Sequence, residues 1–202
     1  MMSKTHIAIG AATALVGTAP MTSGECAIAV IGGVIGGIVA DNDILDNDYL
    51  GDALFGQLCA AAITAFILFI DYVLDGGIVK SMLASRVLLI TGIIIFAILY
   101  FVGITQPHRG FTHSILAMML YSLAVGILYR PLMMPFALGY ASHLIIDLLN
   151  KRGMALLFPL KFRICLNLCY ANETANKALM LAGFAISVVM LINGLILHIN
   201  IT

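Results

Sequence analysis

Two imidazoles flank an arginine in His108-Arg109-Gly110-Phe111-Thr112-His113-Ser114, on the lip of a long apolar segment. Imidazole nitrogen suits zinc and other borderline divalent ions. Gly110 lets the backbone turn between the two rings, and Thr112 is placed to cap the helix that begins at His113 or Ser114. A second pair, His143 and Asp147, stands four apart. On a helix that spacing stacks an imidazole and a carboxylate on one face, where both reach a single ion. Asp41 ends another apolar segment, Asp43 follows two later, and His6 lies near the N-terminus. Their carboxylates broaden the choice of ion from zinc toward manganese or magnesium. An ion held by three or four such donors, with a position open for water, makes that water a nucleophile near neutral pH. The metal donors expected are His6, Asp41, His108, His113, His143 and Asp147, more than one tetrahedral ion needs. Asp43 and Arg109 are assigned to catalysis, the guanidinium to bind a phosphate or carboxylate oxygen in bidentate fashion. Asp46, Asp48 and Asp52 run on into water and read as a solvated acidic loop. His198, at the far end of the last apolar segment, is excluded.

These donors are islands in an apolar chain. Of 202 residues, 62% are hydrophobic and 10% charged, with a mean hydropathy of +1.09, whereas an average soluble domain is roughly 25% charged. That is the composition of an integral membrane protein. Ten basic and ten acidic residues cancel, so no basic surface points to nucleic acid and no acidic tail to a solvated arm. Cys26, Cys59, Cys165 and Cys169 form no C-x-x-C pair and read as packing, although Cys165 and Cys169, four apart, are also spaced to hold a soft metal.

Three apolar segments reach the roughly 20 residues that cross a bilayer: Ala53 to Leu74, Arg86 to Thr105, and Ala178 to Leu197. Phe111 to Tyr129 and Met133 to Leu149 are slightly shorter. The second of these carries His143 and Asp147 in its last two turns, where polar groups face a protein interior or a wet cavity and mark function. His6 to Val16 and Cys26 to Ala40 are shorter still. In the latter, Gly32, Gly33, Gly36 and Gly37 offer overlapping faces for close helix contact. The N-terminal run has only the superficial look of a signal peptide and is read as retained, because the next segment is apolar again. The expectation is an all-α, multi-pass transmembrane helical bundle with a metal site at one membrane face. It has about five to seven membrane segments and forms a single domain over residues 1–202.

Alternation then makes a checkable statement. If each segment crosses, His6, Asp41, His108, His143 and Asp147 all fall on one face, and so do Lys4, Arg109, Lys151, Arg152, Lys161, Arg163 and Lys177, against Lys80, Arg86 and Arg130 opposite. The basic excess marks the ligand face as cytoplasmic. His143 lies seven residues before Asn150, about 10 Å below that helix end at 1.5 Å per residue. This is the level of headgroups and upper acyl chains, so a phospholipid or other amphiphile fits as substrate.

The order of Thr5-His6, Asp41-x-Asp43, His-Arg-Gly-x-Thr-His-Ser (His108 to Ser114), Gly-Tyr-x-Ser-His-x-x-x-Asp (Gly139 to Asp147) and a later Gly153, Phe158 and Pro159 resembles the YdjM-like membrane-bound metal-dependent hydrolases. The likeness runs from Thr5 to Pro159. It implies a multi-pass bacterial inner-membrane protein with a metal-dependent hydrolase site, in a family some of whose members look like targets of the DNA-damage response regulator. By position it carries the site to His6, Asp41, Asp43, His108, His113, His143 and Asp147. The chain departs from the family pattern at Ala40, where a proline commonly precedes the first aspartate, and at Asn42 between the aspartates. Two other readings use the same residues: a metal transporter, in which they form a transit site, and a structural membrane protein, in which they only tie helices together.

Overall fold

The computed structural model describes residues 2–44, 47–160, 162–168 and 174–201, without the side chains of 47–49 and 195–201. Asp46, Lys161 and Cys169, and the side chains of Asp48 and His198, lie outside the described residues. Among the described residues eight α-helices follow one another: α1 (Ser3–Thr18), α2 (Ser23–Val39), α3 (Asn47–Val73), α4 (Ile78–Ala84), α5 (Arg86–Ile104), α6 (Ile115–Leu128), α7 (Met133–Leu148) and α8 (Thr174–Ile201). The architecture is an all-α, multi-pass bundle. Five stretches of the described residues are long and apolar enough to cross a membrane: Ser23–Asp43, Leu50–Val73, Arg86–Ile104, Arg130–Leu148 and Thr174–Gly194. All seven apolar segments of the sequence are helical, and α4 is additional. Asp71 creates it by accepting Val79 N–H through Oδ2 at 2.9 Å, which starts a new helix directly after the Asp75–Gly77 turn.

The bundle is built around α2. A reciprocal capping box opens that helix: Thr22 Oγ1 accepts Glu25 N–H at 3.2 Å, and Glu25 Oε2 accepts Thr22 N–H at 3.2 Å. Its glycines then let two neighbours approach to backbone contact. A Cβ at Gly33 would stand 2.5 Å from the Gly10 carbonyl of α1, and a Cβ at Gly37 would stand 2.5 Å from the His6 carbonyl. On the adjacent edge, Gly32 and Gly36 meet Pro135, Phe136 and Tyr140 of α7. Without a water-driven force between helices in lipid, such close van der Waals packing is what holds them. The burial follows: 61% of the α2 stretch and 56% of the α7 stretch lie inside the protein, against 17%, 11% and 11% for α3, α5 and α8. The site-bearing helices are thus the inner ones.

α6 begins only at Ile115 because the segment before it is an irregular, inward-folded loop. Phe111, Thr112, His113 and Ser114 are buried, and non-helical backbone at this depth is tolerated only where protein satisfies its polar groups. Here it does. Arg109 N–H donates to Asp43 Oδ2 at 3.0 Å, Ala155 N–H donates to the Arg109 carbonyl at 3.0 Å, Ser114 Oγ donates to the Phe111 carbonyl at 2.6 Å, and Tyr140 Oη donates to the Thr112 carbonyl. Two expectations change. The left-handed residue of the loop is Arg109 (φ 62°), not Gly110, which is required instead for space because a Cβ there would lie 2.6 Å from the Pro107 carbonyl. The cap of α6 is Ser114, whose Oγ accepts Ala117 N–H at 3.1 Å, because the Thr112 hydroxyl is turned to Asp43.

Candidate metal centre

Four elements deliver the donors. His6 comes from the second turn of α1, and Asp41 and Asp43 from the 3-10 turn Ala40–Asp43 that continues α2. His108, Arg109 and His113 come from the irregular loop, and His143 and Asp147 from α7. The structure brings all eight to one end of the bundle, and all but His108 are buried.

The innermost donors form a triangle. His113 Nε2 and His143 Nε2 are 3.3 Å apart, and each lies 3.6 Å from Asp41 Oδ1. Donors that bind one ion at 2.0–2.1 Å with tetrahedral angles stand about 3.3–3.4 Å apart, so the spacing matches one face of such a site and leaves a fourth position. Asp147 borders it, with Oδ2 3.7 Å from His113 Nε2 and Oδ1 3.4 Å from His6 Nε2. His6 stacks on His143 with ring centroids 3.8 Å apart, and neither of its ring nitrogens has a hydrogen bond. Apart from this Asp147 contact the buried ring nitrogens are unsatisfied, which is costly and leaves them able to serve a metal ion.

A second layer sets the direction of each ring. His143 Nδ1 lies 2.7 Å from the Gly37 carbonyl. A carbonyl only accepts, so Nδ1 carries the proton and the Nε2 lone pair turns inward. On the other side of the triangle, His113 Nδ1 lies 3.3 Å from Asp43 Oδ2, which leaves its Nε2 for the triangle. Asp41, Asp43 and Asp147 each place a carboxylate oxygen 3.3–3.7 Å from a His113 ring nitrogen, so three buried carboxylates stand around this ring and draw positive charge to the cluster.

Asp43 is not a free carboxylate at the mouth. Its Oδ1 is 2.8 Å from His108 Nδ1, and its Oδ2 accepts from Arg109 N–H and the Thr112 hydroxyl. Arg109 has both terminal nitrogens engaged: Nη2 donates to Asp147 Oδ2 at 2.7 Å and Nη1 to the Arg152 carbonyl, while its buried Nε has no hydrogen-bond partner among the described residues. Asp52, read from the sequence as solvated, accepts Ser3 N–H at 2.8 Å and so anchors the start of α1. Cys165 is an exposed free thiol on the loop after α7, away from the cluster's donors.

Several supporting residues carry no local sequence signal. The Asn176 side chain receives Thr5 Oγ1 at 2.8 Å and Met2 N–H at 3.2 Å, tying α8 to the turn that bears His6. Asn42 donates to the Tyr100 carbonyl at 3.2 Å and to Tyr121 Oη at 3.3 Å, so the residue between the aspartates braces their turn against α5 and α6.

The family described as YdjM inner membrane protein matches residues 1–200. An uncharacterized protein of Bacillus subtilis (strain 168), YvsG, is 35% identical over 82 residues, 40% of this chain and 51% of the relative. The chain thus spans about half the length of that curated relative. No solved structure matches the chain.

Proposed function

The chain belongs to the YdjM inner membrane protein family, and on that premise we propose that it is a metal-dependent hydrolase acting at the cytoplasmic face of the inner membrane. Its substrate is a phosphoester or ester of a membrane-borne amphiphile such as a phospholipid. The observation that carries the reading is the buried triangle of Asp41, His113 and His143, with its donor atoms 3.3–3.6 Å apart. A divalent ion bound there supplies Lewis acidity and lowers the pKa of a water in its remaining position. The nitrogen-rich set favours zinc, and the carboxylates admit manganese or magnesium.

The chain's own residues then divide the work. Asp41, His113 and His143 hold the ion, with Asp147 and His6 as the adjoining donors. A further group, Asp43, His108 and His113, also has its ligand atoms close together. Asp43 already accepts three hydrogen bonds from the His108–Thr112 segment, so we assign it to holding His113 and His108 in place. His108, the one half-exposed ring, is paired with Asp43 and stands where a proton is exchanged with substrate or water. Arg109, engaged with Asp147 and the Arg152 carbonyl, fixes that carboxylate rather than reaching for an anion.

Transport is the less supported use of these donors. Toward the opposite face, a cavity of about 250 Å³ lies below the cluster, lined by Ile31, Ile35, Leu68, Phe96 and Phe136 with Thr64 as its one polar side chain. A transit route needs ligands there. The test is to load the purified protein with zinc in nanodiscs of mixed bacterial lipids and follow lipid cleavage, with His143→Ala as control. Cleavage by the wild type and not by the variant supports the assignment. Stoichiometric zinc without turnover of any lipid class, together with vesicles that accumulate the ion, overturns it in favour of transport.

A further inference from the structure

The loop after α7 has no part in the donor set, yet its side chains are disposed against expectation for a water-facing connection. Leu157, Leu160, Phe162, Leu166 and Leu168 are all exposed, from 42% at Leu157 to 69% at Leu168. Several large apolar side chains exposed on one short loop point to an interaction surface. Its depth is fixed by backbone hydrogen bonds. Leu166 N–H donates to the Leu148 carbonyl at 2.7 Å and Leu168 N–H to the Leu149 carbonyl at 3.0 Å, so the returning limb lies level with the last turn of α7. Ile115 N–H donates to the Leu156 carbonyl at 3.0 Å, which sets the outgoing limb level with the start of α6. Between Asp147 and Leu168 the sequence carries Lys151, Arg152, Lys161 and Arg163 and no acidic residue.

We propose that residues 150–160 and 162–168 belong to an interfacial docking loop, seated in the leaflet at the ligand face with leucines and Phe162 among the upper acyl chains and the exposed Lys151, Arg152 and Arg163 toward anionic headgroups. Apolar side chains at helix-end depth, with cations beside them, are what such a surface binds through burial and charge together. Because the Ala155 amide holds the Arg109 carbonyl, the seated loop also keeps the mouth of the donor cluster at the lipid surface. The inference does not rest on the metal reading.

The chain contains no tryptophan, so Leu160→Trp and Leu168→Trp each report alone. Each variant is placed in nanodiscs of phosphatidylethanolamine and phosphatidylglycerol whose acyl chains are brominated near the glycerol end, after a melting curve shows wild-type folding. The expected result is blue-shifted emission that loses most of its intensity to bromine and little to acrylamide. Red-shifted emission quenched by acrylamide overturns the proposal. So does blue-shifted emission that bromine leaves intact, which would place a second copy or another protein over the loop. Replacing phosphatidylglycerol by phosphatidylcholine reduces the quenching; equal quenching in the two lipids overturns the headgroup half.

Discussion

Gly37→Ala is the substitution that most directly couples the packing to the donors. The new Cβ would stand 2.5 Å from the His6 carbonyl, about 0.9 Å short of the 3.4 Å at which ordinary contact begins. The obstacle is backbone, so it cannot rotate away, and α1 must shift outward. His6 travels with it, lengthening a His6 Nε2–Asp147 Oδ1 separation of 3.4 Å that already equals a tetrahedral edge. The Gly37 carbonyl, which fixes the His143 ring, is disturbed by the same step. Overpacking of this size costs about 1–3 kcal/mol of stability, and disturbing the layer behind metal ligands costs about 10–100-fold in affinity. The assay is competitive titration against a chromophoric chelator in detergent, with a melting curve on the same sample. Gly24→Ala is the control: it lies in the same helix with nothing within 4 Å of its new Cβ, and both readings should stay near wild type. Wild-type metal affinity in a folded Gly37→Ala protein would show that the α1–α2 contact does not position His6 and His143 for metal.

Other substitutions separate the roles. Asp43→Asn removes a carboxylate that orients two histidines without entering the triangle, so metal should still bind, about 10–100-fold more weakly, as the same chelator titration reads. Arg109→Met strips a buried guanidinium from Asp147 and should lower the stability of the metal-free protein by about 3–5 kcal/mol, seen as melting in chelator far below that of Gly24→Ala. Asn176→Ala loses the side-chain half of its clasp on Thr5 and should cost about 1 kcal/mol, a fall in Tm of about 2–4 °C for a chain this long. For orientation, a reporter fused at Asp75 should be periplasmic and one at Lys161 cytoplasmic; the reverse would turn the ligand face outward.

The membrane architecture was legible because grease dominates the chain and helix alternation is a strong constraint. Once His143 and Asp147 were placed near the end of one apolar segment, the parity of the segments put Asp41 and His108 at the same end. The glycines of α2 announced close packing by their spacing, though not which partner each faces: Gly33 and Gly37 serve α1, while Gly32 and Gly36 serve α7. What could not be read is what depends on tertiary hydrogen bonds. Nothing local distinguishes Asp41, whose oxygen faces two imidazoles, from Asp43, whose oxygens are taken by His108, Arg109 and Thr112 of the loop before α6. Arg109 looks like an exposed anion hook until Asp147 and the Arg152 carbonyl occupy it. Asn176 reads as loop, and only its contact with Thr5 reveals it as a support of His6. The start of α4 depends in the same way on Asp71 reaching forward to Val79.

Asp41, His113 and His143 are proposed to hold a divalent ion. Elemental analysis of protein purified without added metal, beside His113→Ala and Asp147→Ala proteins of matched folding, tests it most directly. At least one zinc, manganese or magnesium ion is expected for each wild-type chain, with loss of that ion in His113→Ala and weakened retention in Asp147→Ala. Wild-type protein free of stoichiometric metal, or a His113→Ala protein that keeps its full complement, would contradict it.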